Sequence, residues 1–185
     1  MASASPRRKQ LLAQAGFDFE VVESCVDEDA DGHARERVEV LALRKAHAVA
    51  QSHDGESVII AADTLVEIDG KVLEKPKDDD EAFEMLKMLQ GRKHTVYTGV
   101  AVIRGQDIVS FVEEADVFFR DLTDDEIKAY IATGEPADKA GAYGIQGRGA
   151  TLVRRIEGDF YAVMGLPIAR LCECLAKMGA ADNLY

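Results

Sequence analysis

From Val58 to Pro76 the chain reads VIIAADTLVEIDGKVLEKP, and this stretch limits its fold more than any other. The apolar run Val58–Ala62 reads as a buried strand, with helix left open by periodicity alone. Asp63 and Thr64 fall where that run ends. Leu65 and Val66 follow, then Asp69-Gly70, a strong hairpin signal between two apolar runs. The return arm, Lys71-Val72-Leu73, leads into Glu74-Lys75-Pro76. One hairpin could thus hold a carboxylate, Asp63, and an ammonium, Lys75, close to one cleft. The plainer alternative is a strand-end aspartate in water and a surface lysine.

The chain has 185 residues, which suggests one domain, 1–185, of two lobes at most. At 47% hydrophobic residues it can bury a core. Its formal net charge of −12 argues against a broad nucleic-acid face, since phosphate affinity needs clustered Lys and Arg. It leaves room for a small basic pocket for one anion. No run of about 18 apolar residues is present, so no membrane span is expected. The opening MASASPRR lacks the apolar centre of a signal peptide. Cys25, Cys172 and Cys174 form no metal or CxxC pattern, and reduced thiols in a cytoplasmic protein are the simplest reading.

Ser5-Pro6-Arg7-Arg8 reads as a helix start, with Ser5 as N-cap and Pro6 at the first helical position. Arg7, Arg8 and Lys9 are out of place at the positive end of a helix dipole. A bound anion there would explain them, and a solvated basic terminus is the alternative. Phe17 to Val22 reads as a short strand, and Glu23 to Arg37 as an acidic loop containing Asp27-Glu28-Asp29. Such loops are mostly solvated, and a minority bind divalent metal. Val38 to Gln51 reads as a helix whose apolar stripe Val38, Leu41, Val49 is interrupted by Lys45. That lysine either snorkels to solvent or meets an anion in a cleft. His47 and His53 read as surface residues.

Ala82, Met85, Leu86 and Leu89 mark an amphipathic helix, stopped by Gly91. His94 to Ile103 and Ile108 to Arg120 read as strands, with Val117 and Phe119 on one face and Phe118 on the other. Thr123 to Glu126 is a capping box. Residues 134–150, GEPADKAGAYGIQGRGA, read as a long loop without regular structure, and such loops are often functional. Its polar residues include Glu135, Asp138, Lys139, Tyr143, Gln146 and Arg148. Ala150 to Ile156 and Phe160 to Val163 read as a hairpin. The last helix follows Gly165-Leu166-Pro167, with a buried stripe of Ile168, Leu171, Cys172 and Leu175. The tail to Tyr185 reads as frayed.

Taken together, SASPRR, LRKA, AADTLV, LEKPKDDDEA, GRKHTVYTGVAV, GEPADKAGAYGIQGRGATLV and IEGDFYAVMGLP resemble the Maf family of nucleoside triphosphate pyrophosphatases. They cover nearly the whole chain in family order. The pattern is most similar to the branch that hydrolyses dTTP and UTP, and a sibling branch acts on 7-methyl-GTP. Family members usually begin with a short apolar strand where Met1-Ala2 stands here. Either the chain starts further upstream, or that strand is shortened.

The resemblance implies an α/β fold like that of inosine triphosphatases, with a long curved mixed sheet and two lobes around a central groove. The implied reaction is nucleoside triphosphate plus water to monophosphate plus pyrophosphate, with Mg²⁺ or Mn²⁺. Asp63 is implied as the base, as a metal ligand together with Glu28, or as both. Arg7, Arg8, Lys45 and Lys75 are implied as the phosphate cradle, with Lys139 as a further candidate. Arg7, Thr64 and Gln146 match the trio that selects the base. The implied partner is the triphosphate, and modified pyrimidine triphosphates are included; a homodimer is the assembly to test. Neither nucleic acid nor membrane is expected. Two other readings stay open: the 7-methyl-GTP branch, and a regulator of cell division that binds nucleotide without turnover.

Overall fold

The computed structural model describes residues 1–53 and 55–180, so the tail expected to fray lies mostly outside it. Six α-helices and five strands are present among these residues: α1 (Pro6–Gln14), α2 (Ala34–Ala50), β1 (Ile59–Ile68), β2 (Lys71–Leu73), α3 (Asp79–Leu89), β3 (Lys93–Arg104), β4 (Asp107–Phe119), α4 (Asp124–Ile131), β5 (Val153–Gly158), α5 (Phe160–Met164) and α6 (Ile168–Lys177). The strands form one sheet in the order β2-β1-β3-β4-β5. The α/β class is as expected.

The chain divides into two compact units. The first contains Met1–Asp63, Thr98–Glu113 and the segment from Gly165 onward; the second contains Thr64–Tyr97 and Glu114–Met164. Strands β1, β3 and β4 contribute residues to both.

In the first unit, α2 lies close against the strands because small residues line the contact. Ala42, Ala46 and Val49 of α2 share a buried cluster with Ala2, Ile59, Ala61, Ala101 and Ile103. Gly99 of β3 completes the fit: a side chain there would collide with the backbone of Val38. Met1 and Ala2 are buried and bonded on both sides, with Ala2 N–H donating to Ile60 O (2.7 Å) and Val22 N–H to Met1 O (3.1 Å). The Phe17 to Val22 segment nevertheless forms no regular strand. Helix α2 begins at Ala34, within the expected loop. Its N-cap is His33, whose side chain makes no cap bond, so no capping residue announces the start. At α1, Ser5 holds the N-cap position and Pro6 the first turn, but the Ser5 side chain makes no cap bond either.

In the second unit, the β1–β2 hairpin pairs Val66 with Leu73 and Ile68 with Lys71. Asp69 (φ 52°) and Gly70 (φ 74°) are both left-handed, as a tight two-residue hairpin turn demands. Helix α3 buries Ala82, Met85, Leu86 and Leu89, and the Thr123–Glu126 capping box starts α4. β5 pairs antiparallel with β4. Val117 and Phe119 are buried, whereas Phe118 is only half-buried under the Arg155 guanidinium, 4.1 Å from its ring centre.

Three expectations need correction here and in α6. Residues 160–163 are helical, not the return arm of a hairpin, because the Asp159 carboxylate accepts the Tyr161 N–H (2.8 Å) and starts a turn. Residues 134–150 are not structureless: they fold into 3-10 turns at Glu135–Asp138, Ala140–Ala142 and Gly147–Thr151. The buried side of α6 is Leu171, Cys174 and Leu175, with Ile168 and Cys172 only half-buried.

Candidate active site

Lys45 is the residue around which the first unit's polar cluster forms. It sits on the face of α2 that packs inward, and it is 7% exposed. Its Nζ donates to Asp63 Oδ1 at 2.7 Å and lies 2.7 Å from Glu28 Oε1. Asp63 is 9% exposed at the point in β1 where the apolar run ends. A buried ammonium needs such partners, because an unpaired charge away from water is costly. The apolar stripe broken by Lys45 thus marks a built ion cluster.

Glu28 is itself held in place. Arg44, next to Lys45, donates from one nitrogen to Asp27 O (2.6 Å) and Asp29 O (2.8 Å), the carbonyls on either side of Glu28. The Asp27 carboxylate accepts the Asp29 N–H at 2.9 Å. Arg44 was not singled out by sequence. The available signal was its place beside Lys45, with a donor fork long enough to clamp a neighbouring loop.

Arg8 approaches the same cluster from α1. Its Nε donates to Gly165 O (2.8 Å) and one terminal nitrogen to Ser3 Oγ (3.1 Å). Desolvation lowers its proton affinity below the ordinary arginine value; the charge of Asp63 opposes this, Arg7 adds to it, and Glu28 opposes it. Arg7, Arg8, Glu28, Lys45 and Asp63 therefore all belong to the first unit.

Thr64, Lys75, Lys139 and Gln146 belong to the second unit. Thr64 is half-buried and Lys75 is exposed just beyond β2. Lys139 is engaged within its own loop, donating to Glu135 O (2.6 Å) and Asp138 Oδ1 (2.6 Å). Gln146 is half-buried at the start of the third 3-10 turn. Glu135 binds the loop together by accepting from Arg148 N–H, Gly149 N–H and Tyr130 Oη, each at 2.9 Å. Burial pulls the Glu135 carboxyl upward, but the donors from Gly149, Arg148 and Tyr130 and the Lys139 charge outweigh it and hold it below the usual carboxylate value. Beneath the loop, His94 Nε2 meets Tyr143 Oη at 2.7 Å, and Phe119 stands edge-on to both rings.

A family model described as Maf-like protein matches residues 1–178. The chain belongs to the Maf family. Three Maf relatives are similar over nearly their whole length, and each is named a dTTP/UTP pyrophosphatase. The protein from Bacillus cytotoxicus is 53% identical over 185 residues, 99% of this chain and 96% of that protein. The one from Moorella thermoacetica is 53% identical over 184 residues, covering 97% and 94%. The one from a Thermoanaerobacter species is 52% identical over 180 residues, covering 96% and 94%. Among the described residues of this Maf chain, no helix is long and apolar enough to cross a membrane.

Proposed function

We propose that this chain is a nucleoside triphosphate pyrophosphatase that hydrolyses dTTP and UTP to the monophosphate and pyrophosphate. The observation that carries the reading is the likeness at about half identity, over nearly the full chain, to proteins named for that activity. The Lys45–Asp63–Glu28 cluster offers chemistry that suits it.

In this reading Asp63 is the base. Lys45 binds Oδ1, leaving Oδ2 to take a proton from water. The water oxygen bonds to the α-phosphorus, the bond from that phosphorus to the bridging oxygen breaks, and pyrophosphate leaves with the electron pair. A positioned base contributes roughly 10²–10⁴-fold. Arg7, Arg8, Lys45 and Lys75 offset the phosphate charge, with Lys139, whose ammonium is held by Glu135 O and Asp138, as a further candidate. Thr64 and Gln146 read the imide edge of the base, to which an amide can both donate and accept.

A divalent metal belongs to the same proposal. The fit is favourable: carboxylate oxygens of Glu28 and Asp63 already converge on one cationic centre, Lys45 Nζ, at 2.7 Å each. Among the described residues no third carboxylate, His or Cys joins them. Two carboxylates completed by substrate phosphate oxygens are a usual Mg²⁺ environment. When bound, the metal would neutralise charge developing on the phosphates. A cytoplasmic location also fits the three free thiols.

The test is pyrophosphate release from a panel of triphosphates with Mg²⁺ or Mn²⁺. Selective release from dTTP and UTP is expected. Release from 7-methyl-GTP alone would move the chain to the sibling branch. Nucleotide binding without release would favour the regulatory reading.

A further inference from the structure

The 3-10 turn Gly147–Thr151 has an unusual cap. Gln146 occupies its N-cap position, with φ −102° and ψ 170°, yet its side chain makes no cap bond. The first N–H groups of any such turn need acceptors. Here the Glu135 carboxylate supplies them from thirteen and fourteen positions upstream, taking Arg148 N–H on Oε2 and Gly149 N–H on Oε1. Three glycines make room for this carboxylate and its neighbours. A Cβ at Gly147 would stand 2.8 Å from Glu135 Oε2, and one at Gly144 would stand 3.2 Å from Oε1. One at Gly149 would stand 2.8 Å from Tyr130 Oη and would strike the Gly144 carbonyl.

The segment is fixed on its other side too. Tyr130 Oη donates to Glu135 and accepts the Gly144 N–H at 3.0 Å, while Tyr143 is tied to His94. Gln146 is thus the centre of a short span whose backbone is bonded before and after it.

We propose that Glu135 is a positioning residue that takes over the capping of this turn, so that the Gln146 amide is free to read the base. The inference rests on the reading of Gln146 given above. Glu135 makes no contact with substrate in this account. Its effect reaches the base through the backbone of Gln146 alone, so it acts on base selection more than on the chemical step.

The experiment measures kcat and KM for UTP and CTP in wild type, Glu135→Ala, Glu135→Gln, Gln146→Ala and the Glu135→Ala/Gln146→Ala double variant, with urea unfolding of each. Glu135→Gln retains one acceptor and is the variant to use if Glu135→Ala does not fold. The expected result is a rise of about tenfold in KM for UTP in the Glu135 variants, the loss of roughly one charged hydrogen bond. The UTP/CTP preference falls toward that of Gln146→Ala, kcat changes little, and the double variant is no less selective than Gln146→Ala. Loss of selectivity in Gln146→Ala with full selectivity in both folded Glu135 variants overturns the inference alone. Unchanged selectivity in Gln146→Ala overturns both the inference and the base-reading role beneath it.

Discussion

Lys45 Nζ stands 2.7 Å from Asp63 Oδ1, and the two groups are 7% and 9% exposed. A helix and a strand that start 25 residues apart, at Ala34 and Ile59, are joined by this ion pair as well as by their apolar packing.

Asp63→Asn keeps the size of the side chain and removes its capacity as a base. Turnover of dTTP and UTP should fall by roughly 10²–10⁴-fold, and the unfolding midpoint should drop by the equivalent of about 2–4 kcal/mol, because Lys45 loses its buried charge partner and keeps only Glu28. Pyrophosphate release and urea titration measure the two. Wild-type turnover in the variant would remove Asp63 from the mechanism.

Lys45→Met keeps the apolar stem and deletes the charge. It leaves two carboxylates facing each other, one of them buried, and should cost about 2–4 kcal/mol. The lower part of that range reflects Glu28, whose side chain is 59% exposed. If Glu28 and Asp63 also hold metal, Mn²⁺ should raise the melting temperature of this variant more than that of wild type. Equal shifts in a thermal scan would count against a shared metal position.

Gly99→Ala should lower stability by about 2 kcal/mol or more, as overpacked sites do. The added methyl meets the Val38 backbone, which cannot rotate away as a side chain can. Since α2 also carries Lys45, turnover should drop along with the melting temperature. A neutral result on both would mean that α2 shifts freely.

His94 sets a pH dependence. Burial lowers its pKa from 6.5 to about 4, with Asp116 opposing weakly. The unfolded chain therefore binds the proton first, and the contribution of neutral His94 is present above pH 6.5 and lost as pH falls toward about 4. The full loss is about 3 kcal/mol, at roughly 1.4 kcal/mol per unit. Wild type should exceed His94→Gln in stability at pH 7, and that gap should shrink in acid. Parallel curves from pH 7 to pH 4 would show that His94 does not titrate in this way.

Where structure follows from neighbours in the chain, it was legible in advance. The Asp69-Gly70 turn, the Thr123–Glu126 box and the α3 stripe each depend on residues spaced no more than four positions from the next. Lys45 was legible only as an anomaly, a charge in an apolar stripe, and the choice between solvent and cleft needed the fold. Asp159 capping Tyr161 was missed because the aromatic residues after it favour a strand reading. The Gly147–Thr151 turn was missed because its acceptor, Glu135, serves N–H groups thirteen and fourteen residues away. Arg44 was missed because its partners are carbonyl oxygens, which carry no mark in a sequence.

The borrowed cap on the Gly147–Thr151 turn separates two burdens that usually fall on one side chain. Most N-cap residues must serve their own helix, so mutation there is constrained by folding. Position 146 owes nothing of that kind. If Gln146 reads the base as proposed, random change can sample other side chains there while the turn keeps its form, and a lineage can retune what it recognises through a single codon.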